Sequence, residues 1–341
     1  MKIKVDLFSD TGTRPSAAMR EFMATAPVGD EQLGEDPTVN RLNEIVADLL
    51  GKEAAIYLPS GLMANQISFA VHCAPGDEII MDKSAHPIHF EGGATAAISG
   101  AAINPLEGKR GIFTVNQFKE ALRSRDYHHP RSRLVSLEQT SNLGGGTIWP
   151  REAIKEICMV AKEEGLRTHL DGARLLNAVA ASGISAADYA AEFDSAWIDL
   201  SKGLGAPVGS VLAGSQDFIH RARYWKQRLG GAMRQAGIIA AGGIYALEHN
   251  IKKLKKDNEN AAYLAEALAK LSWIELDPET VETNIIIFRT KEIRAEELAD
   301  KLMAHGVRLT VMGKHLMRAV THLDVARSDL EYVIEVFAKI L

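Results

Sequence analysis

The order of elements in this chain predicts an α/β protein, with a mainly parallel sheet flanked by helices and a smaller C-terminal α+β domain. Three observations carry that prediction. Short apolar runs of strand length alternate with helical stretches between residues 54 and 200, the rhythm of βαβ units. A mainly helical stretch from Met233 to Leu271 then breaks the alternation, and beyond it strands and helices cluster closely. At 341 residues the chain is long for a single core, which favours two lobes. The reading is therefore an N-terminal segment over 1–40, a large domain over 41–250 and a small C-terminal domain over 251–341.

Residues 1–40 are extended and loop-rich, with one short helix from Ala17 to Ala24. Such a segment has no core of its own and is expected to lie on the large domain or on a neighbouring subunit. Asp36-Pro37-Thr38 opens an amphipathic helix, Val39 to Leu50, which Gly51 closes in the left-handed stop position. Ala54 to Leu58 is a strand, Ser60-Gly61 a turn, and Leu62 to Cys73 a helix whose first amides are free to bind an anion. Pro75-Gly76-Asp77 turns the chain into the strand Glu78 to Met81. Further strands are expected at Ala101–Asn104, Leu134–Glu138, Arg167–Leu170, Ser195–Leu200 and Val208–Ala213. Helices near 115–125, 151–164 and 185–192 separate them. The last region reads as strand Thr283–Arg289, helix Ala295–His305 ended by Gly306, strands Arg308–Val311 and Leu316–Thr321, and a closing helix Ser328–Leu341.

Composition excludes several classes. Apolar residues make up 46% and charged residues 24%, ordinary for a soluble globular protein. A net charge of −5 gives no general attraction to nucleic acid or to anionic membranes, and the run Lys252-Lys253-Leu254-Lys255-Lys256 reads as a solvated helix face. The apolar runs Ala94–Ala102 and Ala236–Leu247 are too short and glycine-broken to span a bilayer, and the N-terminus lacks the apolar core of a signal peptide. Two cysteines, Cys73 and Cys158, fit reduced thiols in a cytoplasmic protein better than a disulfide framework.

In a parallel sheet, ligands gather at the carboxyl ends of strands. The polar groups expected there are Ser60, His86, Glu138 to Asn142, Asp171 with Arg174, and Lys202. Lys202 follows the buried run Ser195–Leu200 and precedes Gly203, Gly205 and Pro207. A desolvated amine is a nucleophile able to form a Schiff base with a carbonyl, and pyridoxal phosphate (PLP) is a common permanent partner. The competing reading is a strand-end lysine whose ammonium reaches water. Asp171, one βαβ unit earlier, either caps the next turn or faces a pyridine nitrogen and keeps it protonated. His86 is either a satisfied core histidine or a ring stacked on the cofactor and able to exchange protons. His86 and His89 have no evident third ligand, so no metal is expected.

The motifs SKGLGAPVGS, HLDGARLLNAV, PVGDEQLGEDPTVN, YLPSGLMAN, GGAMRQAGI and RAVTHLD together resemble the PLP-dependent threonine aldolases, nearly end to end. The resemblance implies the type I PLP-dependent transferase fold that aspartate aminotransferase shares. It implies cleavage of a β-hydroxy-α-amino acid to glycine and an aldehyde, and a homotetramer, a dimer of dimers with shared active sites. Carried over by position, Lys202 is similar to the Schiff-base lysine, Asp171 to the partner of the pyridine nitrogen and His86 to the stacking histidine. Ser60 and Gly61 correspond to the phosphate turn. Arg234 resembles an arginine that reaches the phosphate from a neighbouring subunit. Arg174, Arg318 and Ser9 resemble the group around the substrate carboxylate, and His128 a second histidine near the substrate hydroxyl. The chain departs from the family at Leu33 (often tyrosine), at Leu62 (often threonine or serine) and at Glu138–Asn142 (often Glu-Asn-Thr-His-Asn). A β-eliminating lyase or an amino-acid racemase on the same scaffold is the alternative activity.

Overall fold

The computed structural model describes residues 2–340. The chain runs through β1 (Val5–Asp6), α1 (Ala17–Ala24), α2 (Pro37–Leu50), β2 (Ala54–Leu58), α3 (Gly61–His72), β3 (Asp77–Asp82) and α4 (His86–His89). It continues with β4 (Ala102–Leu106), α5 (Val115–Ala121), β5 (Arg131–Glu138), α6 (Arg151–Glu163), β6 (Arg167–Gly172), α7 (Leu175–Ser182) and α8 (Ala186–Ala190). Then follow β7 (Ser195–Asp199), β8 (Ser210–Gly214), α9 (Gln216–Arg228), α10 (Gly237–His249) and α11 (Leu254–Leu268). The last elements are β9 (Ile274–Glu275), β10 (Ile285–Thr290), α12 (Ala295–Ala304), β11 (Val307–Arg308), β12 (Thr310–Gly313), β13 (Leu316–Val320) and α13 (Arg327–Phe337). Leu341, the end of the expected closing helix, lies outside the described residues, as does Met1.

A 7-stranded sheet in the order β2-β8-β7-β6-β5-β3-β4 organises the described residues. Only β8 runs against its neighbours; the other pairings are parallel. The carboxyl ends of β2, β3, β5, β6 and β7 therefore meet along one edge, the edge expected to hold the ligand. Strands β5 and β6 are buried from Leu134 to Glu138 and from Thr168 to Gly172, polar side chains included. Helix α3 is buried all round from Ala64 to His72, with Asn65, Gln66, Ser68 and His72 among the buried side chains, so no amphipathic stripe marks it.

Two larger hydrophobic cores divide the chain. One runs from Met19 to Leu254 and packs the large sheet. The other combines Val5 and Leu7 with side chains from Ala261 to Phe337. It packs the antiparallel sheet β12-β13-β10-β9. The lead segment ties the two together: β1 pairs in parallel with β11, and Met19 of α1 packs into the large core.

Local signals explain the agreement at several helix ends. The Asp36 carboxylate accepts from the amides of Thr38 and Val39, and Gly51 closes α2 at φ 62°, a left-handed conformation that suits glycine. Three helices, α4, α7 and α9, have no counterpart among the elements expected from the sequence. Helix α7 lacks a polar face, so its period is hidden. Helix α9 carried a readable signal, a Ser215 cap followed by buried Phe218, Ile219 and Ala222 on one face. The expected helix 185–192 is the shorter α8, because the turn before β7 takes up its last residues. Among the described residues, no helix is long and apolar enough to cross a membrane.

Candidate active site

A cavity of about 270 Å³ opens at the carboxyl edge of the sheet and is lined by Ser60, Gly61, Asn65, His86, Asp171, Trp197, Asp199 and Lys202, among others. Five residues singled out from the sequence thus converge in one chain. Lys202 lies three residues past β7, in a turn held by the Leu200 and Gly209 backbones. Its Nζ stands 3.1 Å from Asp199 Oδ2 and 5.8 Å from the centre of the Trp197 ring. Its carbonyl accepts from Thr13 Oγ1 at 2.8 Å, so the lead segment braces the loop.

The start of α3 forms one wall. Ser60 caps it by accepting from the Met63 amide at 3.3 Å. The amides of Gly61 and Leu62 precede the first intrahelical bond and are left to a ligand. A Cβ on Gly61 would stand 2.3 Å from the Trp197 ring, so only glycine lets the helix end approach so closely.

Asp171 closes the opposite side. Its Oδ1 accepts from the Ala173 amide at 3.0 Å and its Oδ2 from Asn65 Nδ2 at 2.8 Å. Glu138 is its register partner on β5. Burial, reinforced by Asp171, pushes the Glu138 carboxyl up to about 8. Burial also pushes Asp171 upward, against the pull of His86, the Asn65 amide and Lys202. His86 begins α4, and its Nδ1 stands 2.8 Å from Glu91 Oε1. Burial would lower the imidazole, but the Glu91 hydrogen bond and the nearby carboxylates hold it above its usual value.

Beside this cavity lies a second polar group. Arg174 Nε and Nη2 donate to the two oxygens of Asp10, both at 2.7 Å, with both side chains buried. Burial would raise Asp10, but Arg174, Lys202 and Asn284 hold it well below the carboxylate range. Arg318 donates to Asn142 Oδ1 at 3.0 Å and to the Phe8 carbonyl at 3.3 Å, while its buried Nε has no partner among the described residues. Burial and the neighbouring Arg174 lower Arg318 to about 10. Ser9 is buried in the same lead segment, one residue before Asp10. The Ser9, Arg174 and Arg318 expected around a carboxylate are therefore gathered, with Arg318 holding the spare donor.

Two expected site residues stand elsewhere in the chain. His128 is exposed and bonded to Asp126 at 2.6 Å, just before Arg131 begins β5. The seven steps of strand from Arg131 to Glu138 span about 23 Å. A single chain therefore holds His128 at the wrong edge of the sheet for the Lys202 cavity. Arg234 is also exposed and donates to Asp30 at 2.9 Å. Leu62 lines the cavity, whereas Leu33 is 70% exposed. The sequence reading gave no role to Asp10, Asn65, Glu91 or Asp199. All four lie within five residues of a residue the sequence singles out, namely Ser9, Ser60, His86 or Lys202. The bonds of Asp10 to Arg174 and of Glu91 to Asn65, by contrast, join residues distant in sequence.

The arrangement fits PLP. It offers an amine able to bond to an aldehyde, a buried carboxyl on the facing wall, and open amides at a helix end where a phosphate is stabilised.

Residues 6–291 match the model of a family described as beta-eliminating lyase. The chain is 42% identical over 330 residues to the low specificity L-threonine aldolase of Escherichia coli (strain K12), covering 96% of this chain and 97% of that protein. Its fold is similar to the crystal structure of a putative L-allo-threonine aldolase from Listeria monocytogenes EGD-E, with a TM-score of 0.83 at 23% identity, covering 100% of this chain and 97% of that one. It is also similar to a serine palmitoyltransferase from S. paucimobilis with a bound PLP–myriocin aldimine, with a TM-score of 0.76 at 18% identity, covering 97% and 86%.

Proposed function

The chain belongs to the beta-eliminating lyase family and, within it, to the threonine aldolases, and on that premise we propose a PLP-dependent carbon–carbon lyase. It cleaves L-threonine, L-allo-threonine and related β-hydroxy-α-amino acids to glycine and an aldehyde. One observation carries the reading: Lys202, Asp171, His86 and the open start of α3 line the same cavity.

PLP bound here supplies an aldehyde for the lysine and an aromatic ring that accepts the electrons of the broken Cα–Cβ bond. Lys202 would hold it through its side-chain amine. Asp171 keeps a proton on the ring nitrogen, and the Gly61 and Leu62 amides hold the phosphate. Arg318 grips the substrate carboxylate through the donors that Asn142 and Phe8 leave free, with the Arg174–Asp10 pair nearby.

The proton of the β-hydroxyl passes to His86. With Nδ1 engaged by Glu91, Nε2 is the free nitrogen, and it receives that proton directly or through one water. The β-carbon leaves as the aldehyde carbonyl, and the proton taken up by His86 is the one available to Cα, so glycine and aldehyde together keep every atom of the substrate. His128 serves this step only if a neighbouring subunit presents it, and Arg234 likewise reaches a phosphate only across an interface. Exposed Phe22, Val28, Leu33 and Ile238 on the lead segment and α10 support such an interface, and we assign a homotetramer with shared sites. Light scattering that reported a monomer would remove it. Unpaired Cys73 and Cys158 support a cytoplasmic location.

The test is product analysis after incubation with L-threonine, L-allo-threonine and phenylserine. Glycine with acetaldehyde or benzaldehyde is the expected outcome. A 2-oxo acid would indicate elimination instead, and the mirror-image amino acid racemisation.

A further inference from the structure

Behind the cavity a chain of buried polar groups runs between α3 and strands β6 and β7 of the sheet. His72 Nε2 stands 2.8 Å from Ser195 Oγ, and Ser195 Oγ stands 2.8 Å from His169 Nδ1. His169 Nε2 lies 3.2 Å from Asn65 Oδ1, and Trp197 Nε1 lies 2.7 Å from the same oxygen. On its other side Asn65 Nδ2 stands 2.8 Å from both Asp171 Oδ2 and Glu91 Oε1. All of these side chains are buried.

The indole nitrogen can only donate, so it fixes which end of the Asn65 amide is oxygen. His169 must then carry its proton on Nε2 to share that oxygen. Its Nδ1 is left bare and accepts the Ser195 hydroxyl proton. Ser195, having spent that proton, accepts from His72 Nε2–H. Every donor in the row points toward Asn65. Burial, with Arg167, Arg221 and Arg133 nearby, lowers His72 to about 3, and burial lowers His169 well below its usual value, so both rings are neutral. Turning the amide over would set its oxygen against two carboxylates and its NH2 against two N–H donors, so one orientation survives.

We propose that Asn65 is a positioning residue that gives one hydrogen to Asp171 and one to Glu91, its amide locked by Trp197 and by the row His169–Ser195–His72. The inference rests on the PLP reading only for its consequence. One amide then holds the carboxylate that faces the ring nitrogen and, through Glu91, orients His86 to take the hydroxyl proton.

The test uses the full-length enzyme with selectively 15N-labelled histidine, with and without PLP, with the His169 signal identified by its loss in His169→Gln. A neutral ring protonated on Nε2 is expected in both states. A ring protonated on Nδ1, or a charged ring, would overturn the proposal. Asn65→Leu should weaken PLP binding about tenfold, the loss of a hydrogen bond to a charged group, and alter the pH at which the visible band titrates. Wild-type affinity with an unmoved titration would overturn it too. Should that variant fail to fold, Ser195→Ala decides, because it frees Nδ1 and should mix the two His169 tautomers; an unchanged tautomer contradicts the locking row. If the wild-type protein bound no PLP, the functional reading would fall while the tautomer measurement still judged the row.

Discussion

The two edges of the large sheet are built from the same strands and behave oppositely. At the amino edge the charges are paired. Arg131 is bonded through two nitrogens to Asp77 at 3.0 Å, Arg167 to Asp194 at 2.9 Å and Arg123 to Glu78 at 3.2 Å. At the carboxyl edge Glu138 and Asp171 sit side by side in register, both raised by burial, with Asp171 pushing Glu138 further upward. The amino edge also has the larger cleft, about 530 Å³ against about 270 Å³. Size therefore does not locate the chemistry. The candidate site is where two neighbouring carboxyls, Glu138 and Asp171, are buried with no ion pair of their own among the described residues.

The strongest break of that comparison is Lys202→Ala, which should abolish the PLP fixed by borohydride and, with it, turnover. Retained fixation would show that another amine holds the cofactor. Asp171→Ala should reduce kcat by about 100-fold or more with the circular dichroism spectrum unchanged, since it removes preorganised charge from the ring's far side. Near-normal kcat would end the electron-sink role.

Arg318→Lys should raise KM about tenfold with a smaller change in kcat, because a point charge loses the planar two-pronged grip. Steady-state kinetics with L-threonine decides this; a pure kcat effect would place Arg318 nearer the bond being broken. Glu138→Gln sharpens the comparison through pH. The folded-state value lies at about 8, above the ordinary 4.5, so the folded state holds the extra proton between those values. Stability is then fully present below pH 4.5 and is lost as pH rises toward 8. Glutamine mimics the protonated acid, so the variant's gain in melting temperature should grow from pH 5 to pH 8. A gain that shrank over that range would refute the raised value. Arg167→Ala, at the paired and half-exposed amino edge, should cost under about 1 kcal/mol and leave turnover within about twofold.

Much of this was legible before folding. Strand periodicity, the stop at Gly51 and the Ser60-Gly61 turn are local, and local signals survive in a string of residues. Lys202, Asp171, Ser60 and His86 were readable as a set because each follows a strand, and parallel strands bring their carboxyl ends together. The His128 reading came from motif alignment alone, and the strand that follows it carries it to the opposite edge.

By itself the sequence determined the βαβ layering, and it singled out Lys202, Asp171, His86 and Ser60 as strand-end residues that line one cavity, since these depend on period and on position relative to a strand end. Only the tertiary structure decided that Asp10 neutralises Arg174 across 164 residues of sequence, and that Arg318 keeps a donor to spare. It alone set the Asn65 amide between two carboxylates. Hydrogen bonds and charge pairing depend on which groups meet within a few ångströms, and that distance exists only after the chain has folded.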